Sequence, residues 1–172
     1  LPPGETDWGK SVNAAAGMTV FYTGTQRPRL VTQAKCETCH NLLSFHGANR
    51  NGDPQGCVVC HNSGGGYEDE GLGTIAMGAF IHGLHASNVE EIGEVTYPQS
   101  LANCEACHTA GTYNAARPGA IAISTGSGTD LFNLKDDTWN TATSGTCAGC
   151  HTSGTAKAHM EQNGGQFGVV GG

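Results

Sequence analysis

One pentapeptide pattern recurs four times in this chain of 172 residues: CETCH at 36–40, CVVCH at 57–61, CEACH at 104–108 and CAGCH at 147–151. All eight cysteines lie in these pairs, and a histidine follows each pair at once. Cys36, Cys39, Cys57 and Cys60 have the spacing of a four-cysteine zinc site, and Cys104, Cys107, Cys147 and Cys150 could form a second. That reading gives no reason for the histidines. With 8 His in 172 residues, four such successions have a chance probability of about 5 × 10⁻⁶. A disulfide framework does not resemble eight cysteines at i, i+3 spacing in Gly-rich loops, and a thioredoxin-type dithiol needs one such motif rather than four.

Haem c needs what is present. Two thiols three residues apart form thioethers with the two vinyl groups, and the adjacent histidine becomes the proximal iron ligand. Four units therefore predict four covalently bound haem c groups, with His40, His61, His108 and His151 as proximal ligands. Composition supports the same reading. Hydrophobic residues make up 37% of the chain and Gly occurs 27 times, so aliphatic packing alone is a poor candidate for the core. At about 43 residues per motif, the haem stack itself is expected to be the core.

Subtracting the proximal histidines leaves His46, His82, His85 and His159, one for each iron. Surface or core roles are the plain alternative for any one of them. The count, with no remainder, predicts bis-histidine ligation at all four haems. His82 and His85, at i, i+3 on an expected helix, share a face and can reach two neighbouring haems. Six-coordinate iron has no vacant site for substrate, so the expected chemistry is outer-sphere electron transfer along a wire and not enzymatic turnover at the metal. The alternative is a multihaem reductase in which one haem lacks its distal ligand.

The formal charge of −7, with only 8 Lys and Arg, argues against nucleic-acid or anionic-membrane partners and suits cationic acceptors. No run approaches the length of a membrane span. The opening LPPGETDW has no basic and no apolar signal region, so the chain reads as a processed mature protein or a fragment. Glu68, Asp69 and Glu70 could hold a cation such as calcium, although a solvated loop is the simpler reading.

Regular structure looks sparse. Segments such as ANRNGDPQG, NSGGGYEDEG and STGSGTD read as loops, and GMTVFYTGTQRPRLVT allows one or two short strands or an extended arm. Short helices are expected at 73–87, 99–111, 143–153 and 154–164, the last capped by Gly164. The expected fold class is a multihaem cytochrome c fold, mostly coil with short α-helices and few or no strands. A single tetrahaem domain is expected over 1–172, with an arm at 1–30 and an apolar tail at 165–172. Arm and tail are either docking pieces or frayed ends.

The runs CETCHNLLSFHGANRNGDPQGCVVCHN, AFIHGLHAS, VTYPQSLANCEACHTAGTYN and CAGCHTSGTAKAHMEQNGG resemble, in order, the haem-bearing domains of decahaem outer-membrane cytochromes of the OmcA/MtrC type. The resemblance covers about residues 30 to 166. It implies extracellular electron transfer of the kind found in metal-reducing bacteria, with bis-His haems throughout, and assigns distal roles to His46, His82, His85 and His159. Family haem domains usually carry five haems and accompany β-barrel domains; here four motifs stand without an evident barrel. In scale the chain is similar to tetrahaem cytochromes that polymerise into extracellular filaments. The expected function is thus electron conduction outside the cell or at its surface, as a homopolymer passing electrons to other multihaem cytochromes or to metal and mineral acceptors. A monomeric periplasmic or surface shuttle, or a fragment of a larger decahaem cytochrome, is the alternative.

Overall fold

The computed structural model describes residues 29–46, 50–67, 73–87, 94–113, 119–126, 133 and 135–170. Most of the N-terminal arm and the acidic triplet Glu68–Glu70 lie outside them. The described residues fall into two compact units, one within Leu1–Val59 and Cys104–Asn114, the other within Cys60–Asn103 and Ala115–Gly172.

In the first unit the chain forms helix α1 (Gln33–Cys36), a hairpin of strands β1 (Ser44–Phe45) and β2 (Arg50–Asn51), and helix α2 (Pro54–Cys57). The start of α2 is set by its sequence. Asp53 accepts from the Gln55 backbone N–H at 3.0 Å, and Pro54 supplies a first helical position that needs no donor. Asp53 also pairs with Arg29 at 2.5 Å. Partial burial works against its charge, but the Gln55 N–H and the Arg29 guanidinium outweigh this and hold the carboxyl below the usual carboxylate range. The segment 104–113 closes against the start of the unit. Thr109 N–H donates to the Leu30 carbonyl at 2.8 Å, Val31 bridges His108, and Lys35 Nζ donates to the Glu105 carbonyl.

The second unit holds a hairpin of β3 (Gly66–Tyr67) and β4 (Gly73–Thr74), helix α3 (Met77–His85), and an antiparallel sheet of order β5 (Ile123–Ser124), β6 (Thr138–Asn140), β7 (Val169–Val170). Helices α4 (Ala142–Ala148) and α5 (Gly154–Gln162) complete it. Register pairs Ser124 with Trp139 and Trp139 with Val169. Ser124 is fully buried. Its hydroxyl donates to the Asp137 carboxylate and accepts the Gly126 N–H at 3.0 Å, so this buried polar pair is satisfied.

Helix α5 ends as its sequence predicts. Gly164 adopts φ +88, its N–H donates to Glu161, and the Gly165 N–H reaches back to the Met160 carbonyl at 2.8 Å. Helix α3 starts later than expected because Gly73–Thr74 pairs as β4, and the expected helix over 99–111 shrinks to one 3₁₀ turn at Cys104–Ala106. Strands are more numerous than the sequence suggests: seven, of two or three residues each, among the described residues. Pieces this short carry no legible alternation, and they form by closing loops in antiparallel pairs. Residues 166–170 of the tail pair back onto the chain. The Thr141 backbone N–H donates to the Gln166 carbonyl at 3.0 Å, Gly168 N–H donates to Asn140 Oδ1 at 3.0 Å, and Lys157 Nζ sits 4.9 Å above the Phe167 ring. These contacts bring Val169 and Val170 in as β7.

Buried apolar side chains are few. Among the described residues they are Leu43, Ala76, Ala79 and Ile123. Pro54 at the start of α2 is buried as well.

Candidate haem attachment sites

The attachment motifs share a backbone turn. His40 N–H donates to the Cys36 carbonyl at 3.0 Å, His108 N–H to Cys104 at 2.9 Å and His151 N–H to Cys147 at 2.9 Å. In the same three motifs the second cysteine's N–H reaches the first cysteine's carbonyl at 3.1–3.2 Å. At the remaining motif Cys57 ends α2, and Val58 continues in right-handed helical conformation. One helical turn puts positions i, i+3 and i+4 on the same side. In the three motifs closed by these bonds, both thiols and the imidazole therefore lie on one side of the turn, which is what two thioethers and an axial ligand on one macrocycle require.

No disulfide joins any of the eight cysteines. In the first unit, burial pushes the Cys36 thiol up, and the charges of Cys107, Glu37 and Cys57 add to the effect. Among the described residues, no three His, Cys, Asp or Glu side chains converge as a site for a bare metal ion. Large apolar side chains lie exposed beside or within the motifs: Val59 is 75% exposed, Leu42 60%, and Phe45, Val58 and Leu101 are also uncovered. A flat apolar macrocycle bound at each motif would cover such surface. The residues present fit haem c.

The histidines that end the four motifs are each held differently. The ring of His40 meets Phe45 edge-on at 6.2 Å between centroids. His61 Nδ1 lies 3.0 Å from the Ile75 carbonyl, and its ring stacks on Phe80. With the proton on Nδ1 donated to that carbonyl, Nε2 carries the lone pair that an iron would take. The ring of His108 meets Tyr113 edge-on at 6.0 Å, and the Tyr113 hydroxyl donates to Glu105 at 2.9 Å. His151 is exposed and held through its backbone turn.

The four remaining histidines are carried by three segments of the chain. His46 leads the turn of the β1–β2 hairpin at φ +55, a left-handed conformation uncommon outside Gly, Asn, Asp and His. His82 and His85 ride on α3 in the second unit. His85 Nδ1 is 2.9 Å from the Ile81 carbonyl, the same tautomer-fixing arrangement as at His61, and its ring meets Tyr97 edge-on at 5.6 Å. His159 is exposed on α5, its carbonyl accepting from Asn163 Nδ2 at 2.8 Å.

Helix α3 joins two motifs. Met77 N–H donates to the His61 carbonyl at 3.0 Å, and Cys150 Sγ lies 3.6 Å from the His82 carbonyl. Phe45, Phe80, Tyr97 and the Ile75 carbonyl, which orient the rings, were not singled out in the sequence. Phe45 and Phe80 do stand one and two positions before candidate histidines, a spacing that could have marked them.

Among the described residues no helix is long and apolar enough to cross a membrane. No curated protein matches the chain. A family model does: residues 28–171, which include all four motifs and all four remaining histidines, match the outer membrane cytochrome MtrC/MtrF-like model for domains II/IV. With eight cysteines in four pairs consistent with four haem c sites, the chain belongs to the MtrC/MtrF-like outer membrane cytochrome family.

Proposed function

We propose that this protein is a tetrahaem c-type cytochrome that carries electrons by outer-sphere transfer, outside the cell or at its surface. The carrying observation is the attachment turn that three of the four CxxCH motifs share, with both thiols and a histidine on one side, beside four further histidines for four irons. Bound haem supplies one-electron iron chemistry. The chain's part is to anchor it through Cys36, Cys39, Cys57, Cys60, Cys104, Cys107, Cys147 and Cys150, and to close each iron with a proximal and a distal imidazole. His40, His61, His108 and His151 take the proximal role, and His46, His82, His85 and His159 the distal role. Closed iron leaves transfer between haems as the chemistry, so the protein acts as a carrier and not as an enzyme. The four haems complete the core that the few buried apolar side chains leave small.

The test is spectroscopic. Purified protein should carry four thioether-bound haems by mass, show low-spin ferric signals only, and bind no carbon monoxide when reduced. One high-spin or carbon-monoxide-binding iron would replace this reading with that of a reductase.

Partners are other multihaem cytochromes and extracellular metal or mineral acceptors. Polymerisation into a filament draws its support from scale, four haems on 172 residues. Imaging of native protein decides between filament and monomeric shuttle: uniform single particles would remove the filament.

A further inference from the structure

In CAGCH the intervening Gly149 lies against the backbone of helix α3. The Val58–Val59 pair is exposed, as are Thr38 and Glu105. At Gly149, by contrast, an added Cβ would lie 2.7 Å from the Ala79 carbonyl oxygen, 3.0 Å from the Gly83 nitrogen and 3.0 Å from His82 Cβ. Two of those atoms are backbone of α3 and cannot rotate away. One turn back along the contact, an added Cβ on Gly78 would lie 3.1 Å from Thr146 Oγ1, a side chain on α4. The same helix meets the second motif through Phe80 on the His61 ring and through Met77 N–H on the His61 carbonyl.

We propose that Gly149 is a positioning residue: its missing side chain lets α3 seat its backbone on the fourth attachment turn, and that seat sets where the His82 imidazole meets its iron. The inference rests on the haem reading above, with His82 as a distal ligand. A Cβ at 149 must push α3 outward by several tenths of an ångström or more, because contacts below 3.0 Å do not persist. His82 moves with its backbone. An axial bond tolerates little lengthening, so the affected iron loses its sixth ligand while thioethers and proximal imidazoles stay in place. Gly78 is the milder version of the same contact, relieved if the Thr146 side chain is cut back.

The experiment compares holoproteins. Haem content by mass comes first: a wild type with fewer than four thioether-bound haems overturns the haem reading itself, before any variant is considered. Gly149→Ala should keep four attached haems and convert one of four low-spin irons to high-spin in ferric electron paramagnetic resonance, with added imidazole restoring the low-spin signal. Gly78→Ala should give a smaller high-spin fraction, removed in Gly78→Ala/Thr146→Ala. Gly154→Ala, where an added Cβ meets nothing within 4 Å, should retain the wild-type spectrum. If Gly149→Ala merely lowers the melting temperature while all four irons stay low-spin, Gly149 is structural and the proposal fails. Should Gly149→Ala load no haem, the Gly78 pair decides: a high-spin fraction that Thr146→Ala does not reverse, or none at all, overturns it.

Discussion

The imidazole of His61 lies on the ring of Phe80, centroids 5.2 Å apart and planes inclined by 27°. The stack, with the His61 Nδ1 contact to the Ile75 carbonyl, fixes both the plane and the tautomer of that ring. Aromatic pairs of this kind contribute about 1 kcal/mol beyond area burial. Phe80→Leu keeps the volume and loses the stack. It should destabilise the holoprotein by about 1 kcal/mol in a denaturant titration, with four haems still attached and one midpoint potential displaced in a redox titration. Superimposable redox curves would show that the stack does not act on the iron.

His46 tests the distal assignment most directly, because it stands at an exposed hairpin turn whose loss does not undermine a helix. His46→Ala should leave all four haems attached while one ferric iron becomes high-spin. An unchanged low-spin spectrum would refute its role as a ligand.

For the attachment turns, Cys57→Ala/Cys60→Ala should yield protein with three haems, one haem lighter by mass than the wild type. A variant still carrying four covalent haems would refute the assignment of CVVCH.

Asp53 is expected to make the first unit acid-sensitive. Its folded carboxyl lies below the ordinary value, so its contribution is full above about pH 3.9 and is lost as pH falls through the lower folded value. Asp53→Asn keeps a capping side chain but removes the charge that pairs with Arg29. The stability difference between wild type and Asp53→Asn should thus be constant at neutral pH and shrink below about pH 4. Asp53→Ala loses the cap as well, at about 1 kcal/mol. A difference that grows on acidification would contradict the assigned direction.

The four CxxCH motifs were legible because each lies whole within five consecutive residues. In three of them a single turn brings thiol, thiol and imidazole to one side, so no distant part of the chain has to cooperate. The end of α5 was legible for the same reason: Gly164 and Gly165 lie next to the carbonyls they close. The β7 pairing was not, since Val169 finds its partner Trp139 thirty positions earlier and nothing in QFGVVGG signals that strand.

Sequence alone thus determined where the four CxxCH motifs lie, a set of cysteine pairs consistent with four haem c sites, since each motif is local. Only the tertiary structure decided that α3 lies against the fourth motif, bringing His82 and Cys150 together across 68 positions, and that His61 is oriented by Phe80 from the same helix. These contacts depend on how closely two backbones can approach. That in turn rests on the absence of a side chain at Gly149, which acquires meaning only once α3 is there to fill the space.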